Sequence, residues 1–523
     1  MSEIRIDYEN TPEGAIENST TTASEKKSFV NMSDFRTNRV VPRYATLEQN
    51  YWRLNGTFNN FPDTPSGIGY MSTQQSGSNK NFSSNITITR TYSSNYTSPG
   101  FEVEYDTWEN NYPVNVNIKW YRGSTLLHNE DFTTTSALQD YPANVTSYNK
   151  VVFTFSNMNN AYRYLKIFNI SDGFLRSFYK DEIEGLELID NIETKSLAIN
   201  TGTITLFPRN DVGVIFQRTL PLQIYRDNTL WACLFIDKYT ENAKQTIYKI
   251  TANDYIGLLD YQTFLGGIYT NKTVSSLVAE ILSGFSYTLD ATLGARTVSG
   301  WLPITTKREA LRRVIFAVGG MIDTSKSDKI NITIPGTTST STFTDSRILT
   351  FENARSQMTT QIELTTHSYT ASSETTELFN ESLNGTKYLT FNSPFSNYSI
   401  TGGTITSSGA NYCIIQGTGS TVVLNAYEYI DNASVLSKTN SQAVSTTLER
   451  IDTFDTTLNW NASSLLTSLK FIKSKITAQV LLQNEKVGDM ITINGILARI
   501  MSLDFSLYQD KLKAKLEAEV YDG

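Results

Sequence analysis

The chain has 523 residues, a formal net charge of −8, 39% hydrophobic and only 18% charged residues; roughly 150 residues per domain makes that three or four domains. Abundant Tyr (29) and Phe (26), with Ser, Thr and Asn throughout, exclude the charged, aromatic-poor profile of disorder and point to β-rich domains with uncharged polar surfaces. No tract of five basic residues and no apolar run of 18 occur, so neither specific nucleic-acid binding nor a membrane span is expected.

Residues 1–42 read as an N-terminal arm. Its first 28 residues are polar, and Met1–Asn10 lacks the basic-then-apolar order of a signal peptide. Residues 43–170 read as a β-sandwich entered through an irregular stretch with Pro62, Pro65, Gly67 and Gly69. Its expected strands are Phe82–Tyr92, Phe101–Tyr105, Val114–Tyr121, Val151–Phe155 and Tyr162–Ile170. In the third, Val114, Val116, Ile118 and Trp120 share one face and Tyr121 lies on the other. Residues 171–260 form a β domain whose hairpin turns at Asp227-Asn228. The acidic run Glu182–Asp190 reads as the solvated side of an amphipathic strand.

Residues 261–335 carry two helices. The first, Asn271–Leu282, aligns Val274, Leu277, Val278 and Ile281. The second belongs to the best-formed unit of the chain, Trp301–Pro335. Thr306 and Glu309 have capping-box spacing, Leu311, Val314, Ile315 and Val318 share one helix face, and Gly319-Gly320 ends the helix. Met321-Ile322, a turn over Ser325–Asp328 and the alternation Ile330, Ile332, Ile334 complete a helix packed on a hairpin. The unit suits rigid docking, with Arg312 and Arg313, or one of them, expected to be free for an acidic neighbour at a subunit interface. Residues 336–440 read as an inserted β domain with strands at 388–391, 412–415, 421–424 and 426–430. Residues 441–523 read as a further β domain with a short helix at 464–470 and a hairpin at Asn494-Gly495.

The chemical inventory is thin. Cys233 and Cys413 stand 180 residues apart, with neither disulfide-framework nor metal-ligand spacing, and Cys233 reads as a core residue. His128 and His367 are the only histidines. Gly266-Gly267 matches no phosphate-binding pattern. No catalytic residue, cofactor or metal is therefore expected, and a wall hydrolase is a remote reading. Trp108, Tyr112 and Tyr121 remain as candidates for contact with a glycan or a protein partner, aromatic packing being the plainer alternative.

Three stretches together resemble the tail-tip or baseplate hub proteins (minor tail proteins) of phages and phage-tail-like bacteriocins of low-GC Gram-positive bacteria. They are Ala45–Phe58 with the sandwich segments Asn117–Tyr121 and Ala161–Ile167; Ala252–Asp260 with Phe264–Tyr269; and Gly300–Ile304 with Arg308–Leu311 and Asp323–Asp328. The resemblance covers 43–335 well, 487–521 moderately and 340–440 poorly. It implies a multidomain, mainly β fold with α+β hub domains: hub β domains at 171–260 and 441–523, a hub helix-hairpin domain at 261–335, and an N-terminal sandwich similar to carbohydrate-binding modules. It further implies a non-enzymatic virion structural protein, a homotrimer, made in the bacterial cytoplasm and residing in the tail. Its partners would be the distal tail protein, tail tube, tape measure and tip or fibre proteins. The alternative is a receptor-binding tail protein whose sandwich recognises host cell-wall carbohydrate.

Overall fold

The structure is a computed structural model and describes residues 3–12, 14–35, 46–48, 69–192, 197–208, 216–242, 247–355, 359–440, 450–470, 474–507 and 512–521. Strands make up 62% of it and helices 9%, so the chain is mainly β with a few short helices. It divides into two compact units: one of Met1–Ile6, Phe178–Phe207 and Pro221–Gly523, the other of Asp7–Ser177 and Pro208–Leu220.

In the second unit two long strands, Asn81–Tyr105 and Leu138–Asn157, pair along most of their length. The pairing shifts register between Thr91 and Gly100, and the two halves acquire different neighbours. The first half lies with Ser19–Ala23, and its partner half with Asn115–Arg122; the second half pairs with Tyr164–Ser171. Bulges of this kind bend a strand, and here they fold one sheet over a single core. Phe101 of the second half packs against Trp120 and Phe153 of the first, at ring-centroid distances of 6.0 and 5.1 Å. The alternating apolar faces predicted from the sequence are buried as expected, including Ile86, Ile88, Val103, Tyr105, Val116, Ile118, Val151 and Phe155. The two strands expected at 82–92 and 101–105 are one, because the bulges between them are a backbone feature that side-chain periodicity does not record.

Charged groups are also sealed into this unit. Lys166 Nζ donates to Glu48 Oε2 at 2.6 Å and Asp106 Oδ2 at 3.1 Å, and Arg90 Nη1 to Asp172 Oδ2 at 2.7 Å. All five residues are buried. Such pairs persist in low dielectric only when their polar atoms are satisfied. Tyr164 N–H serves Glu48, Asn111 serves Asp106 and the Tyr92 hydroxyl serves Asp172.

Residues 1–28, read as a polar arm, contain two strands. Ile4–Asn10 buries Ile4, Ile6 and Tyr8, an alternation masked by the surrounding polar composition. Ser19–Ala23 pairs with Ile88–Tyr92, an outcome of partner choice rather than of its own pattern.

The other unit is built on a large sheet. Its antiparallel path runs Ile348–Arg355, Ser474–Leu481, Lys513–Val520, Ile496–Ser506, Ile183–Asn191, Thr201–Leu206, Ile247–Asn253, Thr229–Asn242 and Pro221–Arg226. Segments 300 residues apart thus share one sheet. The turns at Asp227-Asn228 and Asn494-Gly495 have positive φ at both central residues, the type I′ geometry that matches strand twist. The acidic run departs from its reading. Glu184 and Glu187 face solvent, but Glu182 and Asp190 are buried; Asp190 alternates in phase with Leu186 and Leu188, on the core face of the strand.

Among the described residues of this unit are the α-helices α1 (Tyr255–Asp260), α2 (Val274–Ile281), α3 (Ala291–Gly294), α4 (Lys307–Ala317) and α5 (Ala462–Ser468). The predicted faces of α2 and α4 form one core, with Val274, Leu277, Val278, Ile281, Leu311, Val314, Ile315 and Val318 all buried. Gly319 takes φ +67° and ends α4, whereas Gly320 has no positive φ. The strands Met321–Asp323 and Ile330–Thr333 form the expected hairpin; Ile334 falls outside it and is 42% exposed. The capping box is half made: Thr306 Oγ1 accepts the Glu309 N–H at 3.2 Å, but the Glu309 carboxylate turns to arginines instead of back to the cap.

Within the inserted region, Gln361–Thr366 pairs with Ser434–Thr439 and, in parallel, with Ile451–Thr456. From this base Tyr369–Thr390 pairs with Tyr412–Asp431 nearly end to end. Phe395–Thr401 and Gly403–Gly409 line the far side of the return strand. The three short strands expected at 412–415, 421–424 and 426–430 are one, broken in pattern by Gly417-Thr-Gly419.

Candidate functional site

The second and third stretches that carry the family resemblance meet in space. Asp254, N-cap of α1, accepts the Ile256 and Gly257 N–H groups on Oδ1 at 3.0 and 3.2 Å, and Thr324 Oγ1 donates to its Oδ2 at 2.5 Å. Tyr255 donates its hydroxyl to the Asp328 carbonyl at 2.9 Å. Asp260, at the end of α1, receives Arg308 Nη1 of α4 at 2.7 Å, and Arg308 Nε reaches the Leu197 carbonyl at 2.7 Å. Gly266 (φ +63°) passes so close to residue 302 that a Cβ there would lie 2.1 Å from the Leu302 carbonyl oxygen, which explains this glycine without any phosphate. Asn411, fully buried, reaches the same place from the inserted domain. It donates to the Leu265 and Leu302 carbonyls at 2.7 Å each and accepts Trp301 Nε1–H at 2.7 Å.

Beneath α1 lies a buried polar cluster that the sequence reading missed. Asn200 ties Asn191 N–H to Thr324, and Asp323 binds the Ser325 N–H and hydroxyl and Lys486 Nζ. Burial, helped by Asp323 and Asp254, pushes the Asp190 carboxyl up to about 8. Burial pulls Lys326 down to about 8, and its ammonium lies 3.6 Å above the Trp231 ring centre. No group of three or more His, Cys, Asp or Glu that could hold a metal ion occurs among the described residues.

The predicted contact residues are dispersed. Trp108 packs on Phe168 with centroids 4.5 Å apart. Tyr112 packs against the sandwich core, and Tyr121 lies under Lys150 Nζ at 4.4 Å. Each ring has a different partner. Arg312 and Arg313, expected to be free, are both engaged by Glu309 of their own helix. Arg312 chelates its two oxygens at 2.6 Å each, and Arg313 Nε binds Oε1 at 2.8 Å. Burial opposes the Glu309 charge, but these bonds outweigh it and hold the carboxyl below its usual value. The (i, i+3) and (i, i+4) spacings carried that signal. Cys233 and Cys413 are buried, and burial pushes the Cys233 thiol up to about 12, away from thiolate chemistry.

A cavity of about 510 Å³ opens beyond the C-terminal end of α4, with Phe316, Met321, Phe454, Leu465 and Tyr521 in its wall. The stretch Ala45–Phe58 lies outside the described residues except for 46–48. No helix among the described residues is long and apolar enough to cross a membrane.

No family model matches the sequence, and no curated protein matches it. Among solved structures, the chain is similar to the tail protein from Neisseria meningitidis MC58, at 10% identity and TM-score 0.42 over 66% of this chain and 94% of that one. It is also similar to the 43 kDa tail protein of prophage MuSo2 from Shewanella oneidensis, at 10% identity and TM-score 0.39 over 66% and 95%. A third is the prophage tail protein gp18 from Listeria monocytogenes EGD-e, at 9% identity and TM-score 0.40 over 66% and 91%.

Proposed function

We propose that the chain is a structural hub of a phage tail tip or baseplate, or of a phage-tail-like particle. It would join the tail tube or distal tail protein to tip and receptor-binding components as a homotrimer. The observation that supports this reading best is the use made of the resemblance stretches. Asp254, Tyr255, Asp260, Arg308 and Thr324 are engaged in bonds that lock α1 to α4 and the hairpin, while Trp301 is held by Asn411 and Asp323 by Ser325. That arrangement fixes a rigid α/β block and leaves those groups little capacity for chemistry. The net charge of −8 suits a conduit that DNA must pass without adhering.

Light scattering on the purified chain, alone and with the distal tail protein of the same particle, tests the proposal. The expected species is three copies of the 58.7 kDa chain, joined through interfaces above roughly 1,000 Å². A chain that stays monomeric at high concentration and binds no tail component would overturn it.

A further inference from the structure

His367 lies where the inserted domain leaves its supporting sheet. It follows Gln361–Thr366 and precedes the outgoing strand Tyr369–Thr390. Its Nδ1 is 2.6 Å from Asp431 Oδ2, at the end of the returning strand. Its Nε2 is 3.1 Å from Asp455 Oδ2, on Ile451–Thr456. The ring is therefore flanked by a carboxylate on each nitrogen. A neutral imidazole has one N–H and one lone pair, so it serves only one of these acceptors and turns its lone pair on the other. Only the imidazolium satisfies both.

The other charged or titratable groups at this place are few. Tyr369 stacks beside the imidazole, with centroids 6.4 Å apart, and burial pushes its hydroxyl up to about 12. From α4, Arg312 acts on Asp455 and Arg313 on Tyr369, but both arginines are held by Glu309. Burial of the imidazole works against its charge; the bonds to Asp431 and Asp455 outweigh it, and the group stays protonated above its ordinary range.

We propose that His367 is a pH-operated clamp: as imidazolium it ties both strands of the inserted domain's base to Ile451–Thr456, and loss of its second ring proton loosens that base. The domain beyond it has a small core of Phe379, Cys413, Ile415, Val422 and Leu424, so its attachment leans on contacts outside it. The second attachment, Asn411 against Trp301, Leu265 and Leu302, contains no titrating group and persists. The sign follows from linkage. A histidine raised in the folded state stabilises fully below its unfolded pKa, and that contribution disappears as pH rises through the folded pKa. The clamp is closed on the acid side and opens on the alkaline side.

The chain has only two histidines, so labelling the imidazole Cε1 with ¹³C gives two resonances that His128→Gln assigns. The His367 midpoint is expected above the ordinary value of about 6.5, and lower in Asp431→Asn and in Asp455→Asn. Hydrogen exchange on the full chain, corrected for intrinsic rate, should show residues 367–370 and 430–432 losing about tenfold protection as pH crosses that midpoint. In His367→Gln, which keeps one donor and cannot titrate, the same segments should exchange at a pH-independent rate. A His367 midpoint at or below 6.5, or base segments equally protected on both sides of the midpoint, would overturn the proposal.

Discussion

The sheet within Asp7–Ser177 and the sheet of 369–431 share a construction and differ in what they enclose. Each runs two long antiparallel strands through a change of neighbours, so that one sheet folds over one core. In the sandwich that core includes Trp120, Phe101, Tyr105, Tyr148, Phe153 and Phe155, reinforced by buried ion pairs. In the inserted region only Phe379 and Phe395 are buried rings, and most of the outgoing strand faces solvent. Small domains bury a smaller share of their surface and need outside support. A long antiparallel strand pair thus closes over a thick core in one place and a thin one in the other, where His367 and Asn411 tie it down.

Deleting the centre of the thick core is the strongest way to break this comparison. Trp120→Ala should cost about 3–5 kcal/mol, seen as a lower denaturation midpoint for the sandwich. A loss below 1 kcal/mol would mean the core is not what holds it. Lys166→Met should cost a similar or slightly smaller amount, about 3–5 kcal/mol, because Glu48 and Asp106 would remain buried without their cation.

Asn411→Ala tests the thin-core side. It strips three bonds and leaves the Leu265 and Leu302 carbonyls and Trp301 Nε1 short of a partner, at about 1–3 kcal/mol. Exchange should accelerate around 395–412 while the sandwich keeps its protection; equal acceleration in both would erase the distinction. Asp190→Asn sharpens the contrast between a paired buried charge and a buried carboxyl kept neutral. The native state holds the Asp190 proton up to about pH 8, whereas the unfolded chain releases it near 4. Wild type therefore loses stability across that window, and the variant does not. The melting-temperature advantage of Asp190→Asn should grow between pH 5 and 8.5; a constant offset would contradict the assignment.

Local patterns were readable in advance. The buried stripes of α2 and α4, the Thr306 cap, the alternation through Trp120 and the turns at Asp227-Asn228 and Asn494-Gly495 each depend on residues a few positions apart. What escaped depends on backbone or on distance. Bulges joined strands that looked separate, at 81–105 and 412–431. Lys166, Arg90 and Asp190 occupy core-facing positions that hydrophobicity assigns to apolar residues, so their burial was invisible, as were the partners of Lys166 and Arg90, 60 to 118 residues away. Asn411 carries no motif; its role exists only because the chain returns to Gly266 and Trp301. The pairing of Glu309 with Arg312 and Arg313 was local and legible, and reading those arginines as free overlooked it.

Locating this chain in the assembled particle tests most directly the proposal that it is a structural ring component at the tail tip. Cryo-EM of the tail end at side-chain resolution should show several symmetry-related copies closing a ring at the end of the tube, with the α1, α4 and hairpin block rigid in each. A particle tip whose ring density is fully accounted for by other chains, with this one absent, would contradict it.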